Sequence, residues 1–239
     1  MRRPFHFKQF IVSDRNSAMK VNTDAVLLGA WCDVEHASLV LDIGTGCGVI
    51  ALMIAQRSAA QVDAIDVDRN SIEEAAENFS ASPWSHRIKP IHQRVQQFAA
   101  LNDTKYDLIV CNPPFFQNSL ISPVEGRAIS KHDISLTQEE LISGVIKMLE
   151  NQGIFSLVLP PVEMMNFERL ALVNGLYKRR QLLVTPKISK PVNRILTEFS
   201  LIRTINPQSD AITLRNTDNG FTKDYRSLTG DFYLAGSSD

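Results

Sequence analysis

The stretch Val40-Leu41-Asp42-Ile43-Gly44-Thr45-Gly46-Cys47-Gly48 constrains this chain more than any other. A short apolar run carrying one acidic residue stops at three glycines in alternate positions, and a helical-looking segment, Val49 to Arg57, begins at once. This is the pattern of a buried parallel strand, a tight turn and a helix N-terminus. Glycine lets a backbone take φ values that a Cβ forbids and come close to a ligand. Open α/β sheets bind their ligands at the carboxyl ends of such strands.

The rest of the chain repeats the alternation. Leu39 to Ile43, Gln61 to Ile65, Ile88 to Gln93, Tyr106 to Cys111 and Ile154 to Leu159 read as strands. Asn70 to Ser80 reads as a helix, Thr137 to Glu140 as a capping box opening a helix to Leu149, and Val162 to Asn174 as a helix stopped by Gly175. Thr23 or Asp24 can cap an earlier helix with Val26, Leu27, Ala30 and Trp31 on its apolar face. Arg180 to Thr185 and Ile195 to Ile202 close the pattern as a strand pair. Strands alternating with helices argue for an α/β fold built on a parallel, doubly wound sheet, and the last pair suggests an antiparallel edge. Phe5, Phe7, Phe10 and Val12 partly alternate with polar residues, as in an edge strand or hairpin, and Ala211 to Leu214 with Asp218-Asn219-Gly220 suggests turns. We therefore expect one domain over 1–239, with an N-terminal extension to residue 35, a core over 36–205 and a tail from 206 packing on that core.

Composition narrows the classes. The 239 residues are 44% hydrophobic and carry a formal charge of −1, so a sizeable core is expected and only a local basic patch could meet a nucleic acid. Cys32, Cys47 and Cys111 have no metal-ligand spacing and read as reduced packing thiols, and the five histidines form no metal set. No stretch approaches the roughly 18 to 20 apolar residues that cross a membrane, and the N-terminus has no apolar core behind its charges. A cytoplasmic protein without metal is the expectation.

The glycines are spaced two apart, unlike G-x-G-x-x-G, and no phosphate-loop motif occurs, which disfavours a pyrophosphate ligand. Asp42 would repel phosphate and attract a cation. Asp66, 22 residues after Gly44, ends the second strand, where a carboxylate can accept hydrogen bonds from both ribose hydroxyls. With Asp66, the loop from Asp42 to Gly48 resembles the class I S-adenosylmethionine-dependent methyltransferases. The resemblance implies a seven-stranded, Rossmann-like sheet with S-adenosyl-L-methionine as cofactor. It implies cofactor contacts at Asp42, Gly44, Thr45, Gly46, Gly48, Asp66 and Val67. Gln93-Arg94-Val95 stands where many members have Gly-Asp-Ala, so Arg94 and Val95 are expected to contribute backbone contacts. Lys20, Thr23 and Asp24 are placed beside the cofactor.

Asn112-Pro113-Pro114-Phe115 follows the fourth strand at the same sheet edge. It resembles the (D/N/S)-P-P-(Y/F/W) motif of amino-methyltransferases, which implies catalytic roles for all four residues and a second contact of Asn112 with the cofactor. Asn112 and the Pro113 carbonyl can each accept an N–H of an exocyclic amine. The prolines hold that carbonyl in place, and Phe115 offers a face on which an extruded base can stack. The amine could belong to adenine N6, guanine N2 or a glutamine side chain. An RNA-binding module with a residual cofactor fold is the non-enzyme alternative.

Met19 to Asp24 with Leu27 to Trp31, Arg127 with Lys131-His132, Lys190-Pro191 with Arg194, and Thr222 to Tyr225 with Leu228 to Tyr233 are similar to one bacterial group. Its members methylate N6 of the adenine beside the anticodon of a valine tRNA. That resemblance implies a tRNA partner presenting a flipped adenine from its anticodon arm, and we expect the enzyme to act as a monomer. Residues 176 to 203 hold seven basic side chains against one acidic one, Glu198. Arg127, Lys131, His132, Lys187, Lys190 and Arg194 are the expected RNA contacts.

Overall fold

The computed structural model describes residues 3–113 and 136–234. Pro114, Phe115, Arg127, Lys131 and His132 therefore lie outside the described residues, as does the connection from Gln117 to Ser135.

The first element is a hairpin of β1 (Phe5–His6) and β2 (Ile11–Val12), as the alternation predicts. Helix α1 (Thr23–Trp31) follows. Its cap is Asn22 rather than Thr23 or Asp24, because the Asn22 side chain reaches the Ala25 amide at 2.9 Å. Then come β3 (Leu39–Ile43), α2 (Val49–Arg57), β4 (Gln61–Asp66), α3 (Arg69–Ser80), β5 (Ile88–His92), α4 (Val95–Leu101) and β6 (Tyr106–Cys111). After the undescribed connection come α5 (Gln138–Met148), β7 (Leu149–Leu159), α6 (Pro161–Val173), β8 (Tyr177–Lys187), β9 (Arg194–Ser200), β10 (Gln208–Arg215) and α7 (Lys223–Thr229). The capping box at Thr137 and Glu140 forms with both of its hydrogen bonds.

One sheet of eight strands runs β10-β8-β9-β7-β6-β3-β4-β5. It is mostly parallel and doubly wound, as expected, with two differences. β10 is an eighth strand, pairing in parallel with β8 where turns were expected. The antiparallel strand is β9, and it sits between β7 and β8 rather than at the edge. It is buried from Leu196 to Ser200, with Leu196 and Phe199 in the core and Thr197 and Glu198 as buried polar residues, which suits a strand flanked on both sides.

Parity along each strand sorts the core. Val40, Leu108 and Val110 pack under α1, α2 and α3, while Leu41, Ile43, Ile109 and Cys111 pack under α4, α5 and α6. The chain termini meet on the first face. Phe7 bridges Tyr233, and Lys8 donates its backbone N–H to the Phe232 carbonyl. No described helix is long and apolar enough to cross a membrane.

Candidate active site

Register puts the motifs side by side. Ile43 pairs with Cys111 on one flank and Ile65 on the other. Gly44, Asn112 and Asp66, each one residue further on, thus leave the same edge of the sheet on neighbouring strands, ~5 Å apart.

The glycine loop folds back over β4. The Gly44 and Thr45 amides both donate to the Ile65 carbonyl at 2.9 and 3.0 Å. The Gly46 amide donates to Asp66 Oδ2 at 2.9 Å, and Asp66 Oδ1 accepts from the Asp68 amide. Gly48, with φ +84°, precedes α2, and a Cβ there would stand 2.3 Å from the Phe79 ring. A side chain at 48 would therefore displace either the loop or α3.

Asp42 is fully buried. One carboxylate oxygen, Oδ2, accepts the Thr45 hydroxyl at 2.6 Å, and Oδ1 has no hydrogen-bond partner among the described residues. Burial pushes its carboxyl up to about 7, the Thr45 bond opposes this, and the nearby Asp66 charge adds to it. Burial likewise raises Asp66, against the bonds from the Asp68 and Gly46 amides. Two carboxylates disfavoured as anions, one with an orphan oxygen, are chemically suited to a cationic ligand. A small cavity of about 20 Å³ lies at this sheet edge, lined by residues that include Met19, Lys20, Asn22, the loop from Gly44 to Cys47, and buried Asn112. In chemistry these residues are compatible with a cationic ligand such as S-adenosylmethionine: two carboxylates at the sheet edge and a glycine turn that permits close approach. A larger cavity, about 910 Å³, lies away from these residues beside Trp31, Arg57 and Arg180.

The other predicted residues divide. Lys20 lines the small cavity but spends its ammonium on the Asp14 and Arg15 carbonyls. Thr23 is exposed at the first turn of α1. Asp24 and Arg194, expected to face cofactor and RNA respectively, instead form an ion pair at 2.7 Å that ties α1 to β9. Val67 is exposed beside Asp66. Val95 turns its side chain into the core against α5, which leaves its backbone for a ligand, and half-buried Arg94 is the N-cap residue of α4. Lys187 and exposed Lys190 lie at the turn after β8, with Lys187 bonded to Asn219. All three cysteines are buried, and burial drives their thiols far up, Cys32 and Cys47 to about 12. They are packing residues, as expected.

The basic run splits. Lys178 pairs with Glu168, Arg179 with Asp33 and Glu198, and Arg180 with Glu198. These charges tie β8 to β9 through Glu198, to α6 through Glu168 and to the loop after α1 through Asp33, and are not an open basic face. Sequence reasoning missed Met19 and Asn22 as cavity residues. Asn22 carried a signal, since an Asn before an apolar helical run is a cap.

The methyltransferase small domain family matches residues 16–165. The tRNA1(Val) (adenine(37)-N6)-methyltransferase of Bacteroides fragilis is 42% identical over 231 residues, covering 96% of this chain and 97% of its own length. That of Trichodesmium erythraeum is 39% identical over 233 residues, with 96% and 97% covered. Among solved structures, a predicted O-methyltransferase from Agrobacterium tumefaciens superimposes with a TM-score of 0.67 at 19% identity, over 90% of this chain and 100% of that one. The ribosomal protein L11 methylase of Lactobacillus delbrueckii gives 0.55 at 20% identity, over 78% and 82%. The structural neighbours share the fold, and the sequence relatives share far more. The chain belongs to the methyltransferase small domain family and, within it, to the family of the tRNA1(Val) (adenine(37)-N6)-methyltransferases.

Proposed function

We propose that this protein transfers a methyl group from S-adenosylmethionine to N6 of the adenine beside the anticodon of a valine tRNA, acting as a cytoplasmic monomer. The observation that carries this reading is Asn112, buried in the same small cavity as the Gly44–Cys47 loop. Relatives that match nearly the whole chain supply the substrate.

When bound, the cofactor supplies an electrophilic methyl on a sulfonium. Asp42 and Asp66 would face its cationic and ribose parts, and the glycine turn at residues 44–48 would let it approach the backbone. Asn112 accepts one N–H of the adenine amine through its side-chain oxygen, and the Pro113 carbonyl accepts the other. Two acceptors draw the amine nitrogen from planar toward tetrahedral and localise its lone pair for in-line attack. No base is needed first, because the methylated amine is acidic and loses its proton to water. Catalysis is thus positioning and polarisation. Phe115, beyond the described residues, would stack on the base, while Lys187 and Lys190 with Arg127, Lys131 and His132 would meet phosphates.

The test is to incubate the protein and S-adenosylmethionine with unmodified valine tRNA and digest the product to nucleosides for mass spectrometry. N6-methyladenosine at the position beside the anticodon is expected. N2-methylguanosine, or methyl transfer to glutamine in protein rather than to tRNA, would overturn the substrate assignment.

A further inference from the structure

The wall of the cofactor cavity that faces the glycine loop is an N-terminal strap, residues 13–22, which contributes Met19, Lys20 and Asn22. The strap belongs to no strand or helix. Its backbone amides must therefore find partners elsewhere, and they find them on α3.

Glu74 Oε1 accepts the Arg15 amide at 2.6 Å, the Ser13 hydroxyl at 2.9 Å and the Asn16 amide at 3.1 Å. Its Oε2 accepts the Ser17 amide at 2.8 Å. One turn on, Asn78 accepts the Ser13 amide at 2.9 Å and donates to the Ser13 and Cys47 carbonyls, both at 2.8 Å. Asn78 Nδ2 therefore bridges the strap and the glycine loop, while its Oδ1 also holds the strap. Ser71 completes the row, accepting the Ala18 amide at 3.3 Å. Ser71, Glu74 and Asn78 are three and four residues apart, on one face of the helix, and all are buried. Burial alone would push the Glu74 carboxyl up, but the Ser17 and Asn16 amides and the Ser13 hydroxyl outweigh it and hold it below its ordinary value. Beyond the strap's turn, Lys20 and the Val21 amide close back onto Asp14.

A glutamate and an asparagine inside a helix face need no such arrangement for packing, since an apolar pair would fill the space without desolvating a carboxylate. What this pair adds is geometry. It fixes a strapless-by-nature segment of backbone at a set distance from the glycine loop, and the cavity is the gap between the two.

We propose that Glu74 and Asn78 are positioning residues of the S-adenosylmethionine site, holding strap 13–22 against the glycine loop so that cofactor affinity is set from α3. The proposal rests on the cofactor reading above.

The probe is S-adenosylhomocysteine, the demethylated cofactor, titrated calorimetrically into the full-length protein. Glu74→Gln keeps the shape but turns an NH₂ group toward the strap amides. Its dissociation constant is expected to rise about tenfold or more. The KM for cofactor should rise with it, while kcat at saturating cofactor stays within about threefold. Amide hydrogen exchange at Arg15, Asn16 and Ser17 should quicken in the variant. In the wild type, by reciprocal linkage, saturating S-adenosylhomocysteine should slow exchange at those same amides. Glu73→Gln, whose side chain is exposed beside Arg69, should change none of these. An unchanged dissociation constant in Glu74→Gln would overturn the proposal. So would wild-type strap amides that do not respond to ligand, a measurement that decides the matter even if the variant fails to fold. Wild-type protein that does not bind S-adenosylhomocysteine at all would instead overturn the cofactor reading itself.

Discussion

Asp42 and Glu198 stand in one row of the sheet. Asp42 pairs with Val110, Val110 with Ser156, and Ser156 with Glu198, so two fully buried carboxylates sit on one face with β6 and β7 between them. Their surroundings are opposite. Glu198 Oε1 accepts the Asp33 amide, the Ser156 hydroxyl and Arg180, and its Oε2 accepts both Arg180 and Arg179. Asp42 has the Thr45 hydroxyl on one oxygen and no hydrogen-bond partner on the other among the described residues. A buried carboxylate whose valences are met inside the chain is structure. One left incomplete, beneath a glycine turn at the sheet edge, points to a ligand. The larger cavity lies on the Glu198 side, yet its walls are already balanced, with Lys8, Arg57 and Arg180 against Asp33, Glu35 and Asp231. Size alone would have chosen the wrong end of the row.

The contrast can be broken most severely at Arg180. Arg180→Met leaves Glu198 buried with only part of its partner set, and should cost about 3 to 5 kcal/mol in a urea unfolding curve. Binding of S-adenosylhomocysteine, measured well below the new midpoint, should be unchanged. A large loss of ligand affinity would mean that the two ends of the row are not independent.

At the reacting edge, Asn112→Ala should lower the methyl-transfer rate by ~100-fold or more while the cofactor still binds, since it removes an acceptor that acts on the amine. Equal turnover by variant and wild type would remove Asn112 from the mechanism.

Asp42 itself should be visible in pH dependence. Its folded carboxyl is raised from 3.8 to about 7. Between those values the folded chain binds more protons at this site than the unfolded chain, so stability should fall as pH rises through that window. The slope should approach ~1.4 kcal/mol per pH unit where the gap is fully open. Urea midpoints at pH 5 and pH 8 should lie closer together in Asp42→Asn than in the wild type, with any remainder left to raised Asp66; if they differ as much as in the wild type, Asp42 is not the group responsible.

The smallest effects separate the two halves of the basic run. Lys187→Ala and Lys190→Ala should each weaken tRNA binding modestly and reduce its salt slope by about one. They should leave folding stability unchanged within ~0.5 kcal/mol. Arg179→Ala should do the reverse, because its guanidinium is committed to Asp33 and Glu198.

Much of this protein was determined locally. The apolar run into Gly44, the capping box at Thr137 and Glu140, and the stop at Gly175 are short-range signals, and each appears where its residues lie. The order of strands and helices followed from periodicity, and the placement of Gly44, Asp66 and Asn112 at one edge followed from parallel alternation. Long-range pairing was decided only by the tertiary structure. The place of β9 between β7 and β8, and the pairing of β10 with β8, depend on which edges remain open once the parallel core is laid down. The same holds for charge. A run of basic residues looks alike whether it faces phosphate or a buried glutamate, because the partner is supplied from another part of the chain, as Glu198, Asp33 and Asp24 are here. Nothing in the helical pattern of residues 70–80 marks Glu74; its role depends on the strap that packs against α3. Local chemistry determined what each residue can do; tertiary packing decided which valences were already spent.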